Sequence, residues 1–259
     1  MKISVISSDN SLKASISSDL GQEELSFVFE GQYAKGDKIS FEDLSVPGFF
    51  EIKIDDTIDS SILYITESQF SYEIPFDEKK IAVNPKSFAG QRHYMRIKAV
   101  ENTNYPRNIA KNTLDQHNLK GVFPHASANV ETRGESVFAA YNAIDGIIAN
   151  SSHGAWPYQS WGINRQDDAE IKIDFGRPVN FDEIVIYTRA DFPHDNWWIS
   201  AKLEFSDNTQ EEVTLEKTQY GQKFTIKKHN ISWIKMRDMI KSDDPSPFPA
   251  LTQLEVYGY

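Results

Sequence analysis

Apolar and polar residues alternate with a period of two along most of the chain, the signature of half-buried β-strands. In the first hundred residues the alternating runs are 2–7 (KISVIS), 24–30 (ELSFVFE), 49–54 (FFEIKI), 61–66 (SILYIT) and 93–98 (HYMRIK). Turn-forming residues separate them: Ser8-Asp9-Asn10, Lys35-Gly36-Asp37, Val46-Pro47-Gly48 and Asp55-Asp56. The pattern resumes at 170–175 (EIKIDF), 183–188 (EIVIYT), 201–205 (AKLEF), 212–215 (EVTL), 223–227 (KFTIK), 233–237 (WIKMR) and 251–257 (LTQLEVY). Helical periodicity is nearly absent; residues 108–117 and 136–144 are the two stretches that could form short helices.

The alternation predicts an all-β chain of two β-sandwich domains. Residues 1–100 form an N-terminal sandwich. Residues 101–124, rich in Asn, Pro and charge, form a connector. Residues 125–259 form a second sandwich or jelly roll, since short strands at this spacing suit that architecture.

Composition narrows the function. The chain has 259 residues, a net charge of -11 and no Cys. Zero Cys excludes disulfides, thiolate catalysis and Cys-ligated metal centres. The acidic balance argues against a nucleic-acid binder, which must neutralise phosphates. No apolar stretch approaches the length of a membrane span. Ser and Asp interrupt the first apolar run, so a cytoplasmic location is expected; a chain trimmed of a signal peptide would read the same and be extracellular.

The aromatic residues are unevenly placed, with all five Trp between Trp156 and Trp233. Two segments without strand alternation are dense in Trp, His, Asp, Asn and Arg: 141–161 (YNAIDGIIANSSHGAWPYQSW) and 188–198 (TRADFPHDNWW). Aromatic faces stack on sugar rings, and nearby polar groups bond the hydroxyls. The expected ligand-binding set is His153, Trp156, Tyr158, Gln159, Trp161, Arg189, Asp191, His194, Asp195, Trp197 and Trp198. A Trp in a sandwich is as readily core as ligand platform. Trp197 and Trp198 cannot both face inward on one strand, and Trp233, within an alternating run, is expected in the core. Arg189 and Asp191 are equally readable as ligand contacts or as a structural ion pair.

Five pieces in order carry a resemblance: Asn142-Ala143-Ile144-Asp145-Gly146, a Trp-bearing loop, 170–176 (EIKIDFG), Ile184-Val185-Ile186-Tyr187 and Leu254-Glu255-Val256-Tyr257-Gly258. Over residues 120–259 the chain resembles the discoidin, or coagulation factor 5/8 C-terminal type, module. This is the galactose-binding-like fold, also used by carbohydrate-binding modules. The string HGAWPYQSWG…RADFPHDNWW also resembles uncharacterised bacterial proteins described only as carbohydrate-binding.

The resemblance implies a carbohydrate ligand. It also implies a structural calcium with Asp145 and Glu255 as carboxylate ligands and carbonyls of Asn142 and Asn150 as further oxygens, a chemistry suited to Ca²⁺. The other reading of the same residues is a turn cap for Asp145 and a hydrogen-bonded or exposed Glu255. The module usually follows Asp-Gly with a further Asp and soon a Thr and a Trp; here Ile147-Ile148-Ala149-Asn150 follow, so the ligand need not be galactose.

No nucleophile elbow, phosphate-binding loop or HExxH helix is present, so no catalytic residue is assigned. Three functions stay open: a non-catalytic glycan binder, a protein-interaction or scaffold module using the same aromatic loops, and a carbohydrate-active enzyme using the His and Asp of RADFPHD. On the first, removing Trp156 or Arg189 is expected to abolish sugar binding.

Overall fold

The computed structural model describes residues 1–19, 21–191 and 196–259. Among the described residues seventeen strands run in chain order: β1 (Lys2–Ile6), β2 (Leu12–Ser17), β3 (Glu24–Glu30), β4 (Lys38–Glu42), β5 (Gly48–Lys53), β6 (Ser61–Ile65), β7 (Phe70–Glu73), β8 (Arg92–Ala99), β9 (Arg107–Asn108), β10 (Val122–Phe123), β11 (His125–Ala128), β12 (Trp161–Gly162), β13 (Ile171–Thr188), β14 (Trp198–Phe205), β15 (Gln210–Thr214), β16 (Gln222–Lys241) and β17 (Ala250–Gly258). The helical turns are short 3₁₀ segments: Asp77–Ala82, Thr132–Gly134, Ser136–Phe138 and Ala140–Ile144. No described helix is long and apolar enough to cross a membrane. Two β-sandwiches, each with its own core, bear out the all-β expectation.

In the first sandwich a sheet ordered β2-β1-β4-β7 faces one ordered β10-β6-β5-β8-β3. Alternation on β3 buries Leu25, Phe27 and Phe29 and exposes their neighbours. These side chains join Ile3, Val5, Ile39 and Phe41 of the first sheet and Ile52, Leu63 and Ile97 of the second in one core.

The segment 101–124 belongs to both cores. Leu114, Leu119 and Val122 bury in the first, Ile109 and Ala110 in the second. It has no helix over 108–117: Asn108 pairs with Tyr257 on β17, and turns follow. Side-chain bonds strap it down. The Gln116 amide pairs with Glu73 at the edge strand β7, accepting from its N–H at 3.1 Å and donating to its C=O at 2.9 Å. Buried Asp115 accepts from His125 Nδ1 at 2.7 Å and from the Ala126 N–H at 2.7 Å. His117 Nε2 meets Glu131 at 2.8 Å. Those carboxylates raise both imidazoles above their usual pKa.

In the second sandwich, four predicted strands are halves of two long ones. β13 and β16 run through 18 and 20 residues. Their mutual register is broken between Asp174 and Glu183. On one side of the break, Ile171–Asp174 pair with Met236–Trp233, flanked by β11 and β14; on the other, β13 pairs with β17. Ile171, Ile173 and Phe175 before the break share a core with Ile184 and Ile186 after it. The bulged strands therefore bend and supply both layers, as bulges do at sandwich corners. Gly176 sits at the bend with φ +65, and a Cβ there would lie 2.3 Å from the Phe123 ring. Only glycine satisfies both the left-handed backbone and that close approach.

The inward register of β16 buries Ile234 and Met236. Trp233 is therefore only half-buried, with the Lys172 ammonium 5.5 Å from its ring centroid, and is not the core residue the alternation suggested. The 136–144 stretch is two 3₁₀ turns instead of one helix.

The two sandwiches touch where the 3₁₀ turn Asp77–Ala82 meets Ser136–Phe138. Ala82, Val137 and Phe138 form a small apolar cluster. Beside it, Glu78 Oε1 accepts from the Ser136 N–H at 2.7 Å, and the Ile81 C=O accepts from the Trp156 N–H at 2.9 Å.

Candidate ligand-binding site

The two loops singled out in sequence meet at the end of β13. Asn150 anchors the first: its side-chain amide donates to Thr188 C=O at 2.7 Å and to Gln219 C=O at 3.0 Å, and its own C=O accepts from the Ala190 N–H at 2.9 Å. The Arg189 N–H donates to Ala250 C=O at 3.0 Å, which continues the pairing of β13 with β17 past the last ladder residue. These bonds carry His153 to Asp191.

The centre of the site is an Asp191 carboxylate shared by two cationic or hydrogen-bonding partners. Its Oδ1 lies 2.5 Å from Arg189 Nε, and its Oδ2 bonds His153 Nδ1. Arg189 also donates to Phe248 C=O at 2.5 Å. The Arg189 and Asp191 side chains are each 5% exposed, whereas that of His153 is 39% exposed. A buried ion pair of this kind fixes geometry more than it adds net stability.

Beside this network lies a cavity of about 170 Å³, lined by Thr132, Arg133, Phe138, His153, Gly162, Ile163, Arg189, Phe248, Pro249 and Ala250. Phe138, Phe248 and Pro249 give it apolar surface. Arg133 lies 5.7 Å from the Phe138 ring centroid and Arg165 lies 4.6 Å from that of Phe248, both within cation–π range. Glu135 grips the Arg133 guanidinium at 2.6 and 2.7 Å. Gly162 allows the walls to close: a Cβ there would sit 2.6 Å from Thr132 Oγ1. Buried Asn196 holds the segment before β17, accepting from Ser242 Oγ at 2.8 Å and donating to Ser246 C=O, and so helps to place Phe248.

Only part of the expected binding set comes together here. His153, Arg189 and Asp191 converge. Trp161 and Trp198 are both 0% exposed, with ring centroids 6.4 Å apart, and Trp161 Nε1 donates to Val130 C=O. They are core residues and present no face to a ligand. Gln159 is also buried and donates to Asp145 Oδ2 at 2.6 Å. Trp156 and Tyr158 are half-buried and do not line the cavity. Trp197 is half-buried under the Lys217 ammonium, 5.1 Å from its ring centroid. His194 and Asp195 lie outside the described residues.

Sequence reading missed Arg133, Phe138, Phe248 and Pro249. One signal was available: an aromatic residue set among Pro245, Pro247 and Pro249 just before the last strand, where prolines deny ladder pairing and mark a loop.

The expected calcium ligands do not converge. Asp145 is half-buried, and its carboxylate accepts from Gln159 Nε2 at 2.6 Å, Gln253 Nε2 at 2.7 Å and the Ile147 N–H at 2.7 Å. Burial pushes it up to about 7 against those donors. The Asn142 C=O accepts from Gln253 Nε2 at 2.5 Å, so an amide nitrogen fills the space between these oxygens. The Asn150 C=O is engaged by Ala190, and Glu255 accepts from the Tyr257 hydroxyl at 3.3 Å. Among the described residues no group of three His, Asp or Glu could hold a metal ion. The residues present do not fit calcium, and Asp145 serves as the acceptor at a turn.

No family model matches the chain, and no curated protein matches it. Solved structures do. The lectin domain of Lectinolysin complexed with Lewis B antigen is 17% identical, with a TM-score of 0.41 over 59% of this chain and 97% of that one. A Streptococcus pneumoniae fucose binding module is 14% identical, with a TM-score of 0.41 over 59% and 98%. The family 32 carbohydrate-binding module of C. perfringens NanJ, in complex with galactose, is 20% identical, with a TM-score of 0.39 over 51% and 91%.

Proposed function

We propose that the chain is a non-catalytic carbohydrate-binding protein that takes one sugar ring into the cavity beside His153 and Arg189. The observation that supports this reading is the Asp191 carboxylate, which holds an imidazole and a guanidinium at fixed positions next to an apolar wall. That pairing suits a saccharide: Phe138, Phe248 and Pro249 meet the C–H face, while the nitrogen groups address hydroxyls. The cavity is smaller than the roughly 300–1,000 Å³ of common small-molecule sites, so it suits a single ring. Arg133 and Arg189 are each paired with a carboxylate, whereas the Arg165 guanidinium stacked on Phe248 brings a positive charge to this wall, which favours a ring bearing a carboxylate, such as a uronic acid.

Glycoside hydrolysis needs two carboxyl groups flanking the scissile bond. Among the described residues lining the cavity there is none, and Asp191 is engaged on both oxygens. Binding without turnover is the reading this chemistry favours.

Calorimetry with galacturonate and galactose tests it. The wild-type chain should bind galacturonate more tightly than galactose. His153→Ala and Phe248→Ala should each weaken that binding on the order of tenfold, the loss of one good contact. Unchanged affinity in both variants would remove the assignment.

A further inference from the structure

Every residue lining the cavity lies in the second sandwich, yet two walls of that cavity are held from the first. We propose that Glu78 is a positioning residue for this site, and that the turn Asp77–Ala82 of the first sandwich sets its shape. The inference rests on reading the cavity as a ligand site.

Glu78 reaches across the contact between the sandwiches with three bonds. Its Oε1 accepts from the Ser136 N–H at 2.7 Å and faces Ser136 Oγ at 2.8 Å, and its C=O faces the same hydroxyl at 3.0 Å. Ser136 opens the turn Ser136–Phe138, whose N–H groups have no partner within so short a turn. Ser136 is buried, so its N–H needs an acceptor, and a carboxylate is a strong one. Phe138, two residues on, is a cavity wall on one side and packs with Ala82 on the other.

Three residues after Glu78, the Ile81 C=O accepts from the Trp156 N–H. Trp156 follows His153 by three residues, so the same turn also pins the loop that carries the imidazole. The position of Phe138 relative to His153 is thus set through residues 78–82. A sandwich that only lengthened the chain would need no such grip on both walls.

The experiment uses the full chain with Glu78→Ala and Glu78→Gln, since Gln keeps an oxygen that can accept from Ser136. Amide hydrogen exchange reads Ser136, Phe138 and Trp156 without any ligand, and calorimetry reads galacturonate affinity. In Glu78→Ala the three amides should exchange faster while the strands keep their protection. Affinity should fall on the order of tenfold, and Glu78→Gln should restore both. Unchanged exchange at these amides overturns the proposal. So does faster exchange across the whole chain, which would make Glu78 a general stabiliser, or equal loss of affinity in both variants. If the wild-type chain binds neither galacturonate nor galactose, the glycan reading fails, and the exchange pattern still decides whether Glu78 sets these two walls.

Discussion

The side-chain amide of Gln253 donates to the Asp145 carboxylate across 2.7 Å, and the same Nε2 reaches the Asn142 C=O. Strand β17 is thereby tied directly to the turn that begins the loop carrying His153.

Calcium is therefore expected to leave the protein unchanged. Thermal melts in millimolar CaCl₂ and in EDTA should superimpose. A saturable rise in melting temperature with calcium would show that a cation displaces the amide. Gln253→Ala should cost about 1–3 kcal/mol, because it leaves buried acceptors unsatisfied; denaturant midpoints read that loss.

Breaking the charge pair under the cavity should cost more. Asp191→Asn takes the Asp191 charge from beside the 5%-exposed Arg189 side chain, and removing one member of a buried pair costs about 3–5 kcal/mol. A midpoint shift below 1 kcal/mol would mean that water reaches the pair.

The Trp residues should separate by role. Trp161→Ala and Trp198→Ala empty a packed core and should each cost about 3–5 kcal/mol. Trp156→Ala, at a half-buried position outside the cavity, should cost much less and leave sugar affinity within a few-fold. Equal destabilisation by all three would contradict the burial seen here.

Stability should fall as pH rises above neutrality. His117 and His125 are raised from their usual value of 6.5 by the hydrogen bonds they donate to Glu131 and Asp115. A raised imidazole contributes stability in full below its unfolded pKa and loses it as pH climbs through the folded value. Melts from pH 6 to 9 should decline in the wild type and decline less steeply in His125→Gln, where only His117 still contributes. A wild-type curve that rises over this range would sink the prediction.

Alternation made most strands legible, as at Ile171, Ile173 and Phe175. Sequence reading missed β2, β4 and β7, although LKASIS, KISFE and FSYE alternate as well. The bend that makes one strand of 170–175 and 183–188 depends on a register break that pairing partners determine. Trp233 was misplaced because a shift of one residue reverses which side chains face the core. The site was half legible. His153, Arg189 and Asp191 lie in two loops of unusual composition. Phe138 and Phe248 come from segments that only tertiary packing brings together. Gln253 and Glu255 share one face of β17 two residues apart, so spacing alone could not say which one meets Asp145.

The order of strands has a consequence for synthesis. The first core has all its members once Val122 on β10 has been made. The second waits for β17, which pairs with β13, β12 and β9 and supplies Leu251, Leu254 and Val256. On the ribosome the two halves should therefore mature in sequence. A stalled nascent chain ending before Ala250, with enough linker to clear the exit tunnel, should resist protease over the first sandwich and be cut in the second. The residues that line the cavity beside His153 would then assemble only after Phe248, Pro249 and Ala250 emerge, against a neighbour that is already folded.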